Sequence, residues 1–170
     1  MSDHRNKALL DALARLADPS FKDVTLEGTM QRAASLATTA IRGADMAGIA
    51  LIEDGYISTG AASTELVEEI DSYQYAADQG PCLHALRTNQ VVGLDSTTFD
   101  ARWPRFSRKA SAKGVESVLS SPLEADDSVI GSLNLYAYKP KSFDHHDGDA
   151  IVLFAGATAA LIVEQSGHAA

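Results

Sequence analysis

Apolar positions recur at helical spacing up to Gly43, change to short strand-like runs at Met46, and return to helical spacing near the end of the chain. Residues 5–17 carry Leu9, Leu10, Leu13 and Leu16 at helical intervals, and Asp18-Pro19 breaks that helix. A second stripe runs from about Thr25 to Arg42 through Leu26, Met30, Ala33, Ala37, Ala40 and Ile41, with Gly43 as its stop. Residues 46–52 and Tyr56–Ala62 flank Asp54-Gly55, a hairpin signal. Residues 64–77 read as helical or irregular. Gly80-Pro81 opens a short helix ending near Arg87, because proline suits a first helical position. Val91–Leu94 predicts a short strand, and Pro104 opens a helix that Gly114 stops. Val115–Leu123 and Val129–Tyr138 predict strands, with Asp126-Asp127 in the turn between them. In the second, Leu133, Leu135 and Ala137 face one way, and Ser132, Asn134, Tyr136 and Tyr138 the other. Phe143-Asp144 begins a long final helix with Ile151, Phe154, Ala155, Thr158, Leu161 and Ile162 as its buried stripe. The expected organisation is an N-terminal helix over 1–20, one domain over 21–165 and a frayed tail over 166–170.

At 170 residues the chain has the length of one domain with a real core. Its 14 Lys+Arg against 23 Asp+Glu leave a net charge of −9, which disfavours direct nucleic-acid binding and an anionic membrane surface. The expectation is also that no stretch is long and apolar enough to span a bilayer. Charges at Asp3, Arg5, Lys7, Asp11 and Arg15 leave no signal-peptide core. The single cysteine, Cys82, forms no internal disulfide and no cysteine-based zinc site by itself. A cytoplasmic protein is expected.

Several segments resemble GAF domains: Gly80-Pro81-Cys82-Leu83 with Ala85-Leu86, Arg102-Trp103-Pro104 with Phe106, Val115 to Leu123, and Gly131 to Tyr136. The resemblance runs from about Val24 to Val163 and is nearest to the GAF module of GAF–ANTAR regulators. It implies an α+β, GAF/PAS-like antiparallel sheet of five or six strands in the order 2-1-5-4-3. The N- and C-terminal helices would cover one face, and the opposite face would hold a small-molecule pocket. Those regulators continue into an RNA-binding helical domain, whereas this sequence ends at Ala170. The expectation is a stand-alone sensor that binds a small molecule or a separate output protein.

Pocket candidates are Tyr73, Tyr75, Cys82, Trp103, Ser120, Ser132, Asn134 and Tyr136. Strand alternation adds Ser58 and Gly60 to the hydroxyl-rich face. Unpaired hydroxyls and amides buried there are unfavourable, so they need partners, water or a ligand. Cys82, in the first turn of its helix, would have a favoured thiolate, or would be a small buried hydrophobe. His84 is the histidine nearest the pocket. His145-His146 lacks chelate spacing, and His4 and His168 lie near the ends. The sequence identifies no cofactor and no metal site.

The resemblance also narrows the chemistry. Leu83 separates Cys82 from His84, unlike bilin-binding GAF domains, and Ala137-Tyr138 stands where cyclic-nucleotide GAF domains carry Asn-Lys. GAF-fold methionine sulfoxide reductases need a resolving thiol, so the expectation is that the chain is not an enzyme. The leucine stripe of residues 9–16 and the Ala-rich last helix predict a homodimer through the terminal helices. The alternatives are an interaction module with a ligand-free pocket, and a redox sensor or enzyme using Cys82.

Overall fold

The structure, a computed structural model, describes residues 2–21 and 25–167. Helix α1 (Ser2–Leu16) turns Leu9, Ala12 and Leu16 into the core, with Leu13 partly buried. Leu10 points to solvent, 64% exposed. Most of the leucine stripe expected to serve a dimer is therefore spent inside the protomer, where α1 packs on α2 (Leu26–Ala40) and α6 (His145–Gly167). The Thr25 hydroxyl caps α2 by accepting from the Gly28 N–H at 3.0 Å. Residues 168–170 of the expected tail, with His168, lie outside the described residues, and residues 166–167 complete α6.

Five strands form one antiparallel sheet: β1 (Met46–Glu53), β2 (Tyr56–Ala62), β3 (Val92–Leu94), β4 (Ser117–Ala125) and β5 (Ser128–Ala137). Their order is β2-β1-β5-β4-β3. Each hairpin turns on two left-handed residues, Asp54-Gly55 at φ 52° and 81°, and Asp126-Asp127 at 52° and 63°. That geometry matches the right-handed twist of the flanking strands.

The sheet separates two cores. On one side α1, α2 and α6 cover Ile49, Leu51, Leu119, Leu133 and Leu135. On the other, α3 (Glu65–Ala77), α4 (Pro81–Thr88) and α5 (Pro104–Ala112) cover Met46, Val118 and Tyr136. The segment read as helical or irregular is the regular helix α3, because Val67, Ile70, Asp71 and Gln74 form one buried i, i+3, i+4, i+7 stripe.

A β-bulge corrects the alternation assigned to β2. Ile49 opposes Ala61 while Ala50 opposes Thr59, so Gly60 is an extra residue. Thr59, not Ser58, turns its hydroxyl toward α3. Ser58 is exposed opposite Leu51, and a side chain on Gly60 would meet Met30 at 3.1 Å on the other face of the sheet.

Helix α6 also corrects an expectation. Residues His145–Ser166 are long and apolar enough, by length and composition, to cross a membrane. In the fold this helix packs Ile151, Phe154, Ala155, Ala159 and Ile162 into the first core. At its N-terminus the Asp147 N–H donates to Asp144 Oδ1 at 3.1 Å and the Asp144 N–H donates to Asp147 Oδ2 at 2.9 Å. Arg5 of α1 grips both carboxylates, at 2.8 and 2.6 Å, and holds the Asp144 carboxyl well below the usual range.

Candidate functional site

The site is built where α3 and α4 come down on the sheet. Gly48 of β1 lets α3 approach: a Cβ there would lie 2.5 Å from Val67 Cγ1 and 3.4 Å from Asp71 Oδ2. The buried stripe of α3 then delivers Asp71 and Gln74 to the sheet. Asp71 accepts a short hydrogen bond from the Tyr136 hydroxyl and a 2.7 Å bond from Thr59 Oγ1. Thr59 Oγ1 also lies 2.9 Å from the Tyr75 hydroxyl. Gln74 donates Nε2–H to the Tyr136 oxygen at 3.0 Å.

The Gly80-Pro81-Cys82 segment completes the network. Gly80 has φ 143°, and a Cβ on it would sit 2.2 Å from Gln74 Oε1. Glycine thus admits the Gln74 carbonyl, which accepts from the Cys82 N–H at 2.9 Å at the start of α4. Cys82 Sγ lies 2.9 Å from Ser132 Oγ, and Ser132 donates to Asn134 Oδ1 at 3.3 Å. Ser120 opposes Asn134 across the β4–β5 ladder. Two polar atoms at this end make no hydrogen bond of ordinary geometry: Ser120 Oγ, and Asn134 Nδ2, whose amide lies near enough to the Cys82 sulfur to oppose the rise of its thiol without bonding to it squarely. Asp71, Gln74, Cys82, Ser120, Ser132, Asn134 and Tyr136 are all 0% exposed, so this part of the patch is shut from solvent, while Thr59 and Tyr75 at its edge are half-buried.

Burial governs the ionisation here. It pushes the Asp71 carboxyl up to about 6, against the hydrogen bonds from Tyr136 and Thr59, and nearby Glu68 adds to the rise. Burial pushes the Cys82 thiol up to about 12, with the Asp71 charge in the same direction and Ser132 and Asn134 opposing. The expected thiolate is therefore corrected: at the start of α4 the Cys82 N–H is taken by Gln74, and desolvation outweighs the helix dipole. Tyr136 and Tyr75 are likewise raised, first by burial and then by Asp71.

Of the residues singled out in the sequence, Tyr75, Cys82, Ser120, Ser132, Asn134 and Tyr136 meet in this patch. Tyr73 and Trp103 do not join its hydrogen-bonded network. The Tyr73 hydroxyl donates to Glu69 at 2.7 Å on the outer side of α3. Trp103 packs in the second core with Phe106 and Val115, with the exposed His84 ring 5.7 Å away and the Arg102 guanidinium 4.2 Å from its own ring. Asp71, Gln74 and Thr59 were not anticipated. The first two lie on the same helical stripe as Val67 and Ile70, which is a signal readable in the sequence. Among the described residues no group of three or more His, Cys, Asp or Glu is placed to hold a metal ion.

This geometry gathers donors, acceptors and one titratable carboxyl on a sheet face roofed by two helices. A family model for the GAF domain matches residues 23–163. The chain belongs to the GAF domain family. The match is to the family as a whole.

Among solved structures, the chain resembles free methionine-R-sulfoxide reductase from Neisseria meningitidis in complex with its substrate. Identity is 16% and the TM-score 0.73, over 98% of this chain and 92% of that one. A type II free methionine-R-sulfoxide reductase from Thermoplasma acidophilum matches at 18% identity and TM-score 0.63, over 82% and 93%. The chromophore-binding domain of a bacteriophytochrome from R. palustris matches at 13% and 0.70, over 96% of this chain and 62% of that one. At these identities the likeness is one of fold. No curated protein sequence matches the chain. The two reductases correct the expectation that the chain is not an enzyme: this GAF fold also serves catalysis, so the resemblance excludes none.

Proposed function

We propose that this GAF domain is a sensory module that takes a small polar ligand into the interior between the sheet and helices α3 and α4. The observation that carries the reading is the pair of unpartnered buried atoms, Ser120 Oγ and Asn134 Nδ2, on adjacent strands. A buried polar group without a partner disfavours folding by roughly 1–3 kcal/mol. A ligand that accepts from Asn134 and exchanges a hydrogen bond with Ser120 removes that penalty. The likeness to a chromophore-binding domain and to a reductase with its substrate supports a ligand on this fold. The motif resemblance to GAF modules of GAF–ANTAR regulators supports the regulatory role. A lone reduced thiol suits the cytoplasm.

Ligand entry requires α3 or α4 to lift, and the signal leaves through helices. Leu10 of α1 and Val152 and Leu153 of α6 are exposed by 64, 51 and 60%. They form the apolar contact with a second copy in this reading, and Leu153→Lys weakens self-association in sedimentation. A second reading, an interaction module without a ligand, is favoured by the closure of the end of the patch that holds Cys82, Ser120, Ser132 and Asn134.

Native mass spectrometry of the protein purified from its own cells separates the two. The sensor reading expects a small non-covalent adduct on the wild type that is missing from Ser120→Val and Asn134→Leu. It is overturned by a bare wild type, or by an adduct both variants retain.

A further inference from the structure

The charge of this acidic chain is not evenly spread. Residues 101–115 hold five of its 14 Lys+Arg, namely Arg102, Arg105, Arg108, Lys109 and Lys113, and no Asp or Glu. Two of the five are engaged. Lys113 pairs with Glu69 at 3.0 Å, and Arg102 lies 3.6 Å from Asp100. The other three sit on the exposed face of α5 at i, i+3 and i+4. Among the described residues none of them has an ion pair.

These three cations converge on one cleft of about 280 Å3 between α3 and α5, lined by Tyr73, Ala76, Ala77, Arg105, Arg108 and Lys109. No carboxylate lines it. Lys109 lies 5.3 Å from the centre of the Tyr73 ring, and Gln79 Oε1 accepts from the Arg105 N–H at 3.2 Å, tying the two helices together at this end.

We propose that this cleft is a second ligand site, for a phosphomonoester dianion bearing a small apolar group. Three uncompensated cations around one cleft match a dianion better than a carboxylate's single charge. Arginine forks suit phosphate oxygens, and a concave wall concentrates the field. Ala76, Ala77 and the Tyr73 ring provide the apolar floor. The small volume excludes a long strand, and the chain's −9 charge repels an extended polyanion. The site is separate from the sheet-face interior, and it rests on none of the residues proposed to sense a ligand there.

The test is a titration of the 170-residue chain with phenyl phosphate at low ionic strength, followed in amide 1H–15N spectra. Benzoate, a phosphoserine peptide and an oligonucleotide without terminal phosphates are the comparators. The expected shifts cluster at Ala76, Ala77 and residues 105–109. Phenyl phosphate binds at least about tenfold more tightly than benzoate, and Arg105→Gln and Arg108→Gln each weaken it about tenfold. Both side chains are exposed, so the remaining spectrum stays that of the wild type. Ser120→Ala leaves the affinity unchanged. If the phosphoserine peptide gives the same shifts with tighter binding, the phosphate comes from a protein; if it binds more weakly, it comes from a free metabolite. The assignment is overturned by shifts spread over other cations such as Arg42 and Lys139, by equal binding of benzoate, or by tighter binding of the oligonucleotide.

Discussion

Replacing Asp71 with asparagine tests how the buried network is held. The wild-type carboxyl stands at about 6 in the fold, against an ordinary value of 3.8. Between those values the folded chain binds the proton that the unfolded chain has released. Stability therefore falls as pH rises through about 6, and is greatest, for this group, below the unfolded value. A difference of this size is worth about 3 kcal/mol in all, of which about 2.4 kcal/mol is lost between pH 4 and pH 8 and about 1.4 kcal/mol between pH 5 and pH 8. The groups facing Asp71 are Thr59, Tyr75, Tyr136, Cys82 and Glu68. Tyr75 and Tyr136 are raised above the ordinary phenol value and Cys82 is raised to about 12, so none of them titrates in that window. Asparagine keeps the shape and the bonds. Its oxygen accepts from Tyr136, and its amide donates to Thr59, which turns its own proton to Tyr75. Urea denaturation followed by circular dichroism at pH 5, 6, 7 and 8 provides the readout. The wild-type midpoint is expected to fall mainly between pH 5 and pH 6 and to level off above pH 7, while that of Asp71→Asn stays nearly level throughout and lies above it at pH 8. Parallel curves for the two proteins would refute a carboxyl titrating in the interior.

Cys82 is expected to resist a thiol reagent at pH 8 in the native protein and to react fully in urea, because its thiol stays neutral and buried; rapid stoichiometric labelling of the folded chain contradicts that. Asp127→Gly in the β4–β5 turn is expected to raise stability by about 0.5 kcal/mol, since φ 63° strains a side-chain-bearing residue more than it strains glycine. A lower urea midpoint for that variant would count against strain in the turn.

Much of the fold was legible because punctuation and periodicity agreed. Asp54-Gly55, Gly80-Pro81 and Pro104 mark element ends, and the alternation of Ser132, Asn134 and Tyr136 against Leu133 and Leu135 separates the two faces of β5. The same alternation misled in β2, because a bulge at Gly60 reverses the register; a glycine inside a strand run is the one sign of it that the sequence carries. Tyr73 and Tyr75 are two positions apart on α3, roughly 200° around the helix, so only one of them can reach the sheet. Asp71 escaped notice because a helical carboxylate reads as solvent-facing unless its stripe is followed through Val67, Ile70 and Gln74. For Cys82 the helix-dipole argument pointed toward a thiolate, but its outcome depended on burial, which a linear sequence does not display.

In the proposed sensor the domain keeps an unsatisfied polar interior at the expense of its own stability. The equilibrium stability of Ser120→Ala without added ligand measures that directly. Removing an orphaned hydroxyl from a site that is 0% exposed is predicted to raise the free energy of unfolding by about 1 kcal/mol or more. A variant less stable than the wild type would mean that Ser120 is already bonded in the resting domain, and that no such reserve exists for a ligand to fill.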